Sequence, residues 1–421
     1  MKTTVFVLLI NMAWLTIAVA EPRKVEIRGT AGKFQLFRDG QPYIVRGAGV
    51  VDGDLESLKR HGGNSVRTWH VDEAMLDKAH ALGLTVSLCL NIARERHGFD
   101  YNDKSAVEKQ FNEAKAAVLK YRNHPALLSW VIGNELNYDY NNPKVYDAVN
   151  DISRMIHELD PNHPTTTTTA SISDSLYKVI QERASDLDFL SIQVYGALYA
   201  LPEYMEDFQI DMPVMVTEWG TIGHWEVPST DWGAPLELTS TEKARNYQRG
   251  YEEVIASLKG KVIGDYTFFW GQKQERTPTW YGTFTVRGEE TEPVDTLHYL
   301  WNGSWPKNRA PMINEITINR QVAEENINLA SGGEYHAVVS AEDREGDALS
   351  YSWLIMKESE SKQHGGDKER VPDVVSRIES TSSISFVAPR KAGAYRLFVY
   401  VTDSNGRVAH ANIPFYSRSS K

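Results

Sequence analysis

The sequence predicts an α/β fold, a (β/α)8 TIM barrel followed by a C-terminal antiparallel β-sandwich of immunoglobulin-like type. Three observations carry this. From about residue 24 to 300, short apolar, β-branched runs alternate with amphipathic stretches, the pattern of βα units around a parallel sheet. The apolar runs number eight. Near SWPKNRAPM (304–312) helical periodicity ends and short alternating segments begin. A chain of 421 residues suits a barrel of roughly 250 residues plus a smaller module.

The strands expected are YIVRGAGV (43–50), NSVRTWH (64–70), LTVSLCLNI (84–92), LLSWVIGNE (127–135), TTTTTA (165–170), DFLSIQVYG (188–196), PVMVTEWG (213–220) and GDYTFFW (264–270). Between them lie segments such as EAMLDKAHALG and SAVEKQFNEAKAAVLKYRNHP, with apolar residues three and four apart. Gly62, Gly83 and Gly260 fall where helix C-caps belong. An open doubly wound sheet would carry a glycine-rich phosphate loop after its first strand, and GAGVVDGD is not that motif. Ahead of strand one, VEIRGTAGKFQLFRDGQPY reads as a hairpin with a tight Asp39-Gly40 turn, plugging the barrel floor or packing beside it. The barrel is expected over 21–306 and the sandwich over 307–421. In the sandwich, EYHAVVSAED, LSYSWLIM, SISFVAP, AYRLFVYVTD and VAHANIPFY are strands, and ESESKQHGGDKERVP (358–372) is a polar loop. With no clear aromatic platform on those strands, bracing is its default role, and its acidic turns are a faint hint of calcium.

Composition narrows the function classes. Hydrophobic residues at 41% and charged residues at 24% permit a large core and argue against disorder. A net charge of −11 disfavours a nucleic-acid partner, which needs Lys and Arg against phosphates, while a neutral partner is not repelled. Residues 1–20 combine Lys2, an apolar run and the small-x-small ending Ala18-Val19-Ala20. They read as a secretory signal cleaved before Glu21, which implies a secreted, periplasmic or cell-surface protein with no membrane span after cleavage. Cys89, the single cysteine, lies in the apolar run TVSLCLNIA, so a buried, inert thiol is expected and no intrachain disulfide is available.

In barrels the C-terminal strand ends share one rim, from which catalytic groups are drawn. Strand four ends in Gly133-Asn134-Glu135 and strand seven in Thr217-Glu218-Trp219-Gly220, so two carboxylates terminate otherwise apolar strands on that rim. Either alone is an ordinary cap or ion-pair residue. Together they match the two carboxyl groups of a retaining glycosidase, one protonated to assist the leaving oxygen and one ionised to attack. No spaced metal-ligand set occurs, and this chemistry needs neither metal nor cofactor.

NHPALLSWVIGNELN, SVRTWH and MPVMVTEWG resemble the clan A glycoside hydrolases, most of all the family 2 catalytic barrel and its short single-barrel relatives, over about residues 43–270. The resemblance implies that Asn134 contacts the sugar 2-hydroxyl, Glu135 is the acid/base and Glu218 the nucleophile. It implies that Arg67 and Tyr195 hold the nucleophile, and that Trp270 floors the subsite beside the cleaved bond. The clan often has His two residues before that Tyr, and this chain has Gln193, which puts the contact there in question. His70, Asn91, Trp219, Trp225, His224, Gln272, Trp280 and Tyr281 also lie at strand ends and are candidates to line a cleft. The implied partner is a neutral carbohydrate, the implied state a monomer. An internally acting β-1,3-glucanase is the first substrate choice, with β-mannan or β-1,4-glucan next. A transglycosylase using the same two Glu, an exo-acting β-glycosidase and a non-catalytic carbohydrate-binding protein are the alternatives.

Overall fold

Residues that are apolar on both faces and end at glycine or aspartate stops are those that close into a parallel barrel. In the computed structural model, which describes residues 23–30, 32–362 and 366–419, they do so. The expected signal segment, residues 1–20, lies outside the described residues. The barrel strands are Gly47–Gly49, Ser65–Arg67, Thr85–Leu90, Leu127–Ile132, a fifth in two pieces, Leu190–Gln193, Val214–Gly220 and Val262–Phe268. The pieces of the fifth strand close the ring: Thr165–Thr166 pairs with strand four and Thr168–Ala170 with strand six. Strand one is shorter than expected, because Tyr43 and Val45 pack beneath the barrel.

Five of the helices begin where the sequence supplies a side-chain cap. Asp54, Asp72, Asp103, Ser173 and Thr239 all accept bonds from free N–H groups of the following first turn. The barrel interior is filled: the Tyr266 hydroxyl bonds Ser65 and Ser87, and Ser87 bonds Ser129. Gly47 makes room for this, since a Cβ there would stand 2.2 Å from the Tyr266 ring. Below, Val25–Arg28, Gln35–Arg38 and Gln41–Pro42 form a small antiparallel sheet whose Val25 and Leu36 cluster with Leu128, Phe189, Met215 and Ile263. The hairpin therefore plugs the floor, and the polar opening is left at the other end.

After helix Glu292–Asn302 the chain forms two antiparallel sheets. One has three strands, Met312–Ile318, Glu334–Glu342 and Ser383–Val387. The other has five, among them Ser350–Lys357, Gly393–Thr402 and Val408–Arg418, and the two enclose Trp353, Val399 and Phe415. Val374–Ser380, an edge strand largely exposed, escaped the sequence reading because it lacks alternation. The sandwich docks on the barrel's last helices: His410 N–H donates to Ser240, Ile313 N–H to Thr241, and Arg407 pairs with Glu290 and Asp295. Cys89 is buried in strand three and its thiol is pushed up to about 11 by burial, as an inert thiol should be.

Candidate active site

The turn after strand four is set by backbone constraints. Gly133 has φ 79°, and a Cβ there would meet Leu136 at 2.8 Å. Glu135 itself has φ 49°, sparsely populated for a non-glycine residue and costing on the order of 1 kcal/mol. Tertiary bonds hold it there: Glu135 N–H donates to Thr168 Oγ1 at 3.0 Å, and Arg94 Nε donates to the Asn134 carbonyl at 2.9 Å. The Glu135 carboxyl is thereby held within reach of the Glu218, Arg94 and Arg67 charges.

Glu218, on strand seven, is 5% exposed and receives three donors. Arg67 Nη1 lies 2.5 Å from Oε1, Trp69 Nε1 2.9 Å from the same oxygen, and the Tyr195 hydroxyl 2.6 Å from Oε2. Arg67 is fully buried and its guanidinium also lies over the Trp69 ring, 4.6 Å from its centre. Burial and the Glu218 charge push the Tyr195 phenol far above its ordinary value, so it remains a donor.

Asn134 is oriented as tightly. Its Oδ1 accepts from Arg67 Nη2, from Gln193 Nε2 at 2.9 Å and from Thr168 Oγ1 at 3.2 Å. A guanidinium can only donate, so the amide oxygen must face inward and the NH2 is directed away from this cluster. A cavity of about 550 Å3 opens beside it, lined by Trp69, Asn91, Ile92, Arg94, His97 and Phe99.

The two carboxyls are treated oppositely. Where Glu218 has three donors, Glu135 is pushed up to about 8, first by burial and then by the Glu218 charge, against the pull of Arg94, Arg67 and Arg96. One carboxyl is thus favoured in its protonated form, beside a second that an arginine holds. That pairing can protonate a leaving oxygen on one side of a bond and attack carbon from the other.

The expected residues divide into three groups. Glu135, Glu218, Arg67, Asn134, Tyr195 and Gln193 converge, and Gln193 serves Asn134 rather than the carboxylate, which resolves the departure at that position. Asn91 lines the cavity and also accepts from Val71 N–H at 3.3 Å, while His70 is exposed on the rim. Trp270 and Trp219, expected at the cleft, are instead wholly buried in the wall. Trp270 packs on His61, Phe284 and Trp301 and donates to the Asp54 carbonyl at 2.9 Å, so it floors no subsite. Phe268 and Phe269 both pack on Trp69, which breaks the strand alternation before residue 270. Trp219 turns outward to Tyr247 and donates to Asp265 at 2.9 Å.

Of the remaining aromatics, Trp280 and Tyr281 are buried, whereas Trp225 is 58% exposed and meets the Tyr195 ring edge-on at 5.6 Å. Trp69, Thr168 and Arg94 were missed. Trp69 was legible, two residues beyond Arg67 on a strand and therefore on the same face; within a run of five threonines nothing singled out Thr168. Among the described residues one three-carboxylate group could hold a cation, Asp343, Asp347 and Asp403, and it belongs to the sandwich turns.

Residues 45–223 match the family model described as the TIM barrel domain of glycosyl hydrolases family 2. The β-galactosidase of Lactococcus lactis subsp. lactis is 30% identical over 162 residues, 32% of this chain and 16% of that protein. The β-galactosidase of Aeromonas hydrophila is 28% identical over 164 residues, 34% of this chain and 15% of that protein. The matched stretch thus spans about a sixth of these relatives' length. Among solved structures, Bacteroides uniformis beta-glucuronidase 2 covalently bound to cyclophellitol-6-carboxylate aziridine superposes with a TM-score of 0.53 at 13% identity. It covers 94% of this chain and 48% of that one, a likeness of fold alone.

Proposed function

From a barrel that resembles the catalytic domain of glycosyl hydrolase family 2, we propose that this protein is a retaining β-glycosidase acting by double displacement. The observation that carries the reading is the opposite treatment of two rim carboxyls, Glu218 held by three donors and Glu135 pushed up to about 8. Glu218 attacks the anomeric carbon as the Glu135 proton passes to the leaving oxygen. The glycosyl ester removes the Glu218 charge, so Glu135 holds a proton less strongly and takes one from the water that cleaves the ester. The Asn134 NH2 is the donor for the sugar 2-hydroxyl.

The substrate proposed is a neutral β-linked oligosaccharide or polysaccharide outside the cell, β-1,3-glucan first. The chain's negative charge, its export-like first 20 residues and the exposed Trp225 support this, whereas none of the relatives named above supports a β-1,3-glucanase. Their names favour a second reading, an exo-acting β-galactosidase. Transfer to an acceptor sugar would use the same residues.

The test is to screen laminarin, mannan, cellulose and aryl β-glycosides, then repeat the best substrate with Glu218→Ala and Glu135→Ala. Each variant should lose activity by orders of magnitude. On an activated aryl glycoside, azide should give the inverted glycosyl azide with Glu218→Ala and the retained one with Glu135→Ala. Wild-type rates in either variant would remove the assignment.

A further inference from the structure

The loop between sandwich strands Ser350–Lys357 and Val374–Ser380 reaches the barrel rim. Glu358 is anchored by Arg396, 3.0 Å from both Nε and Nη2. Further along, the Ser361 carbonyl accepts from Arg276 Nη1 at 2.6 Å and Glu369 accepts from Arg276 N–H at 2.9 Å, on the loop after barrel strand eight. Between them Asp367 takes a two-pronged bond from Arg96, at 2.8 and 3.1 Å. It faces Arg94 at 3.9 Å and His97 at 3.4 Å.

Those arginines are the ones that embrace the Glu135 turn. Arg94 holds the Asn134 carbonyl, and Arg96 lies over the ring of Tyr138, whose N–H closes the turn on the Glu135 carbonyl at 3.1 Å. We propose that Asp367 is a positioning residue for the acid/base: from the second domain it supplies the counter-ion that holds Arg94 and Arg96 against the Glu135 turn. This rests on Glu135 being the acid/base.

The sign of the effect follows from the charges. The groups facing Glu135 are Glu218, Arg67, Arg94, Arg96, Tyr195 and Tyr138; those around Asp367 are Arg94, Arg96, His97 and Tyr138, with Lys273 beside Gly366. Neutralising Asp367 leaves two cations uncompensated beside Glu135, which favours its carboxylate and lowers the pH at which it loses its proton.

The experiment is the pH profile of kcat/KM for wild type, Asp367→Asn, Asp367→Glu and Arg96→Gln. Asp367→Asn should move the alkaline limb down by roughly half a unit or more, Asp367→Glu should keep it, and Arg96→Gln should move it up. A tether with no electrostatic role would lower kcat or Tm and leave the limb in place, which overturns the proposal. The same shifts are read without turnover by 13C NMR of labelled glutamate carboxyls, with the Glu135 signal identified by its loss in Glu135→Gln. An unshifted signal in Asp367→Asn overturns the proposal even where no substrate has been found. Wild-type activity in Glu135→Gln would instead defeat the acid/base reading. Should Asp367→Asn fail to fold, Arg96→Gln decides alone, an unmoved limb and signal counting against the proposal.

Discussion

Two buried polar networks in this protein are built from the same residue types and reach opposite ends. At the junction of barrel and sandwich, Glu237 accepts from Lys243 at 2.5 Å and from Thr277 and Asn412 at 2.6 Å, and Asn412 in turn accepts from Arg396. Burial alone would raise the Glu237 carboxyl, but Lys243 and, after it, Arg396 outweigh it and hold it down at about 2. At the barrel mouth Glu135 also sits among cations yet is pushed up to about 8. The difference is that donors are spent on Glu218 and on the backbone around Glu135. A buried acid with every lone pair answered is a fastener, and one left unanswered beside another carboxylate is a proton donor in waiting.

The largest effect that would break this contrast is at the fastener. Lys243→Met leaves Glu237 buried without its cation and should cost about 3–5 kcal/mol, while the double variant with Glu237→Gln should recover most of it. Activity per folded molecule should change little in either. The partners disagree on the pair's strength, since burial pushes the Lys243 ammonium down even as Glu237 is held low. The pair is therefore worth less than the Glu237 shift alone suggests, and the double variant is the better measure. The sign for pH is clear: a depressed carboxyl contributes stability above about 4.5 that is lost as pH falls toward about 2, and the double variant should show a flatter acid limb in thermal unfolding. An equal loss in both variants would mean that shape, not charge, holds the junction.

Why the mouth was more legible than the junction follows from where each signal lives. Barrel strands end at glycines and carboxylates in a fixed order, so eight runs place Glu135 and Glu218 on one rim from the sequence alone. Arg67, Asn134 and Tyr195 came through their motifs and do converge. Trp270 and Trp219 misled because a strand-end Trp carries no mark of which face it takes once alternation breaks, as it does at Phe268 and Phe269. The junction network and Asp367 join residues far apart in the chain, and 358–372 looked like any polar surface loop. Contacts of that kind have no local pattern to read.

Asp265 sharpens the comparison from a third position. It is 5% exposed, accepts a bond from Trp219 Nε1, and is pushed up to about 7 by burial, yet it faces the outer wall rather than the cleft. A raised carboxyl is thus no mark of function without the rim geometry. Because its folded value lies above the ordinary 3.8, Asp265 is harmless in acid and penalises the native state increasingly as pH rises toward about 7. Asp265→Asn keeps an acceptor for Trp219 and should add on the order of 2 kcal/mol at pH 8, little at pH 4, and leave the activity profile unchanged. A matching change in kcat/KM would show that this acid communicates with the mouth.

The smallest effect concerns a residue that belongs to neither network. Trp225 stands 58% exposed on the loop after strand seven, edge-on to the Tyr195 that holds Glu218. A large apolar ring left in water beside a polar cleft loses burial energy unless a ligand covers it, and the apolar face of a sugar ring is a fitting cover. Trp225→Ala should therefore reduce kcat/KM on a long oligosaccharide by roughly tenfold, the equivalent of about 1.4 kcal/mol, with little change on an aryl monoglycoside. Equal losses on both substrates would instead make the ring a support for Tyr195. It would then count with the residues that hold Glu218, and the rim would hold one fewer sugar than the exposure of this tryptophan suggests.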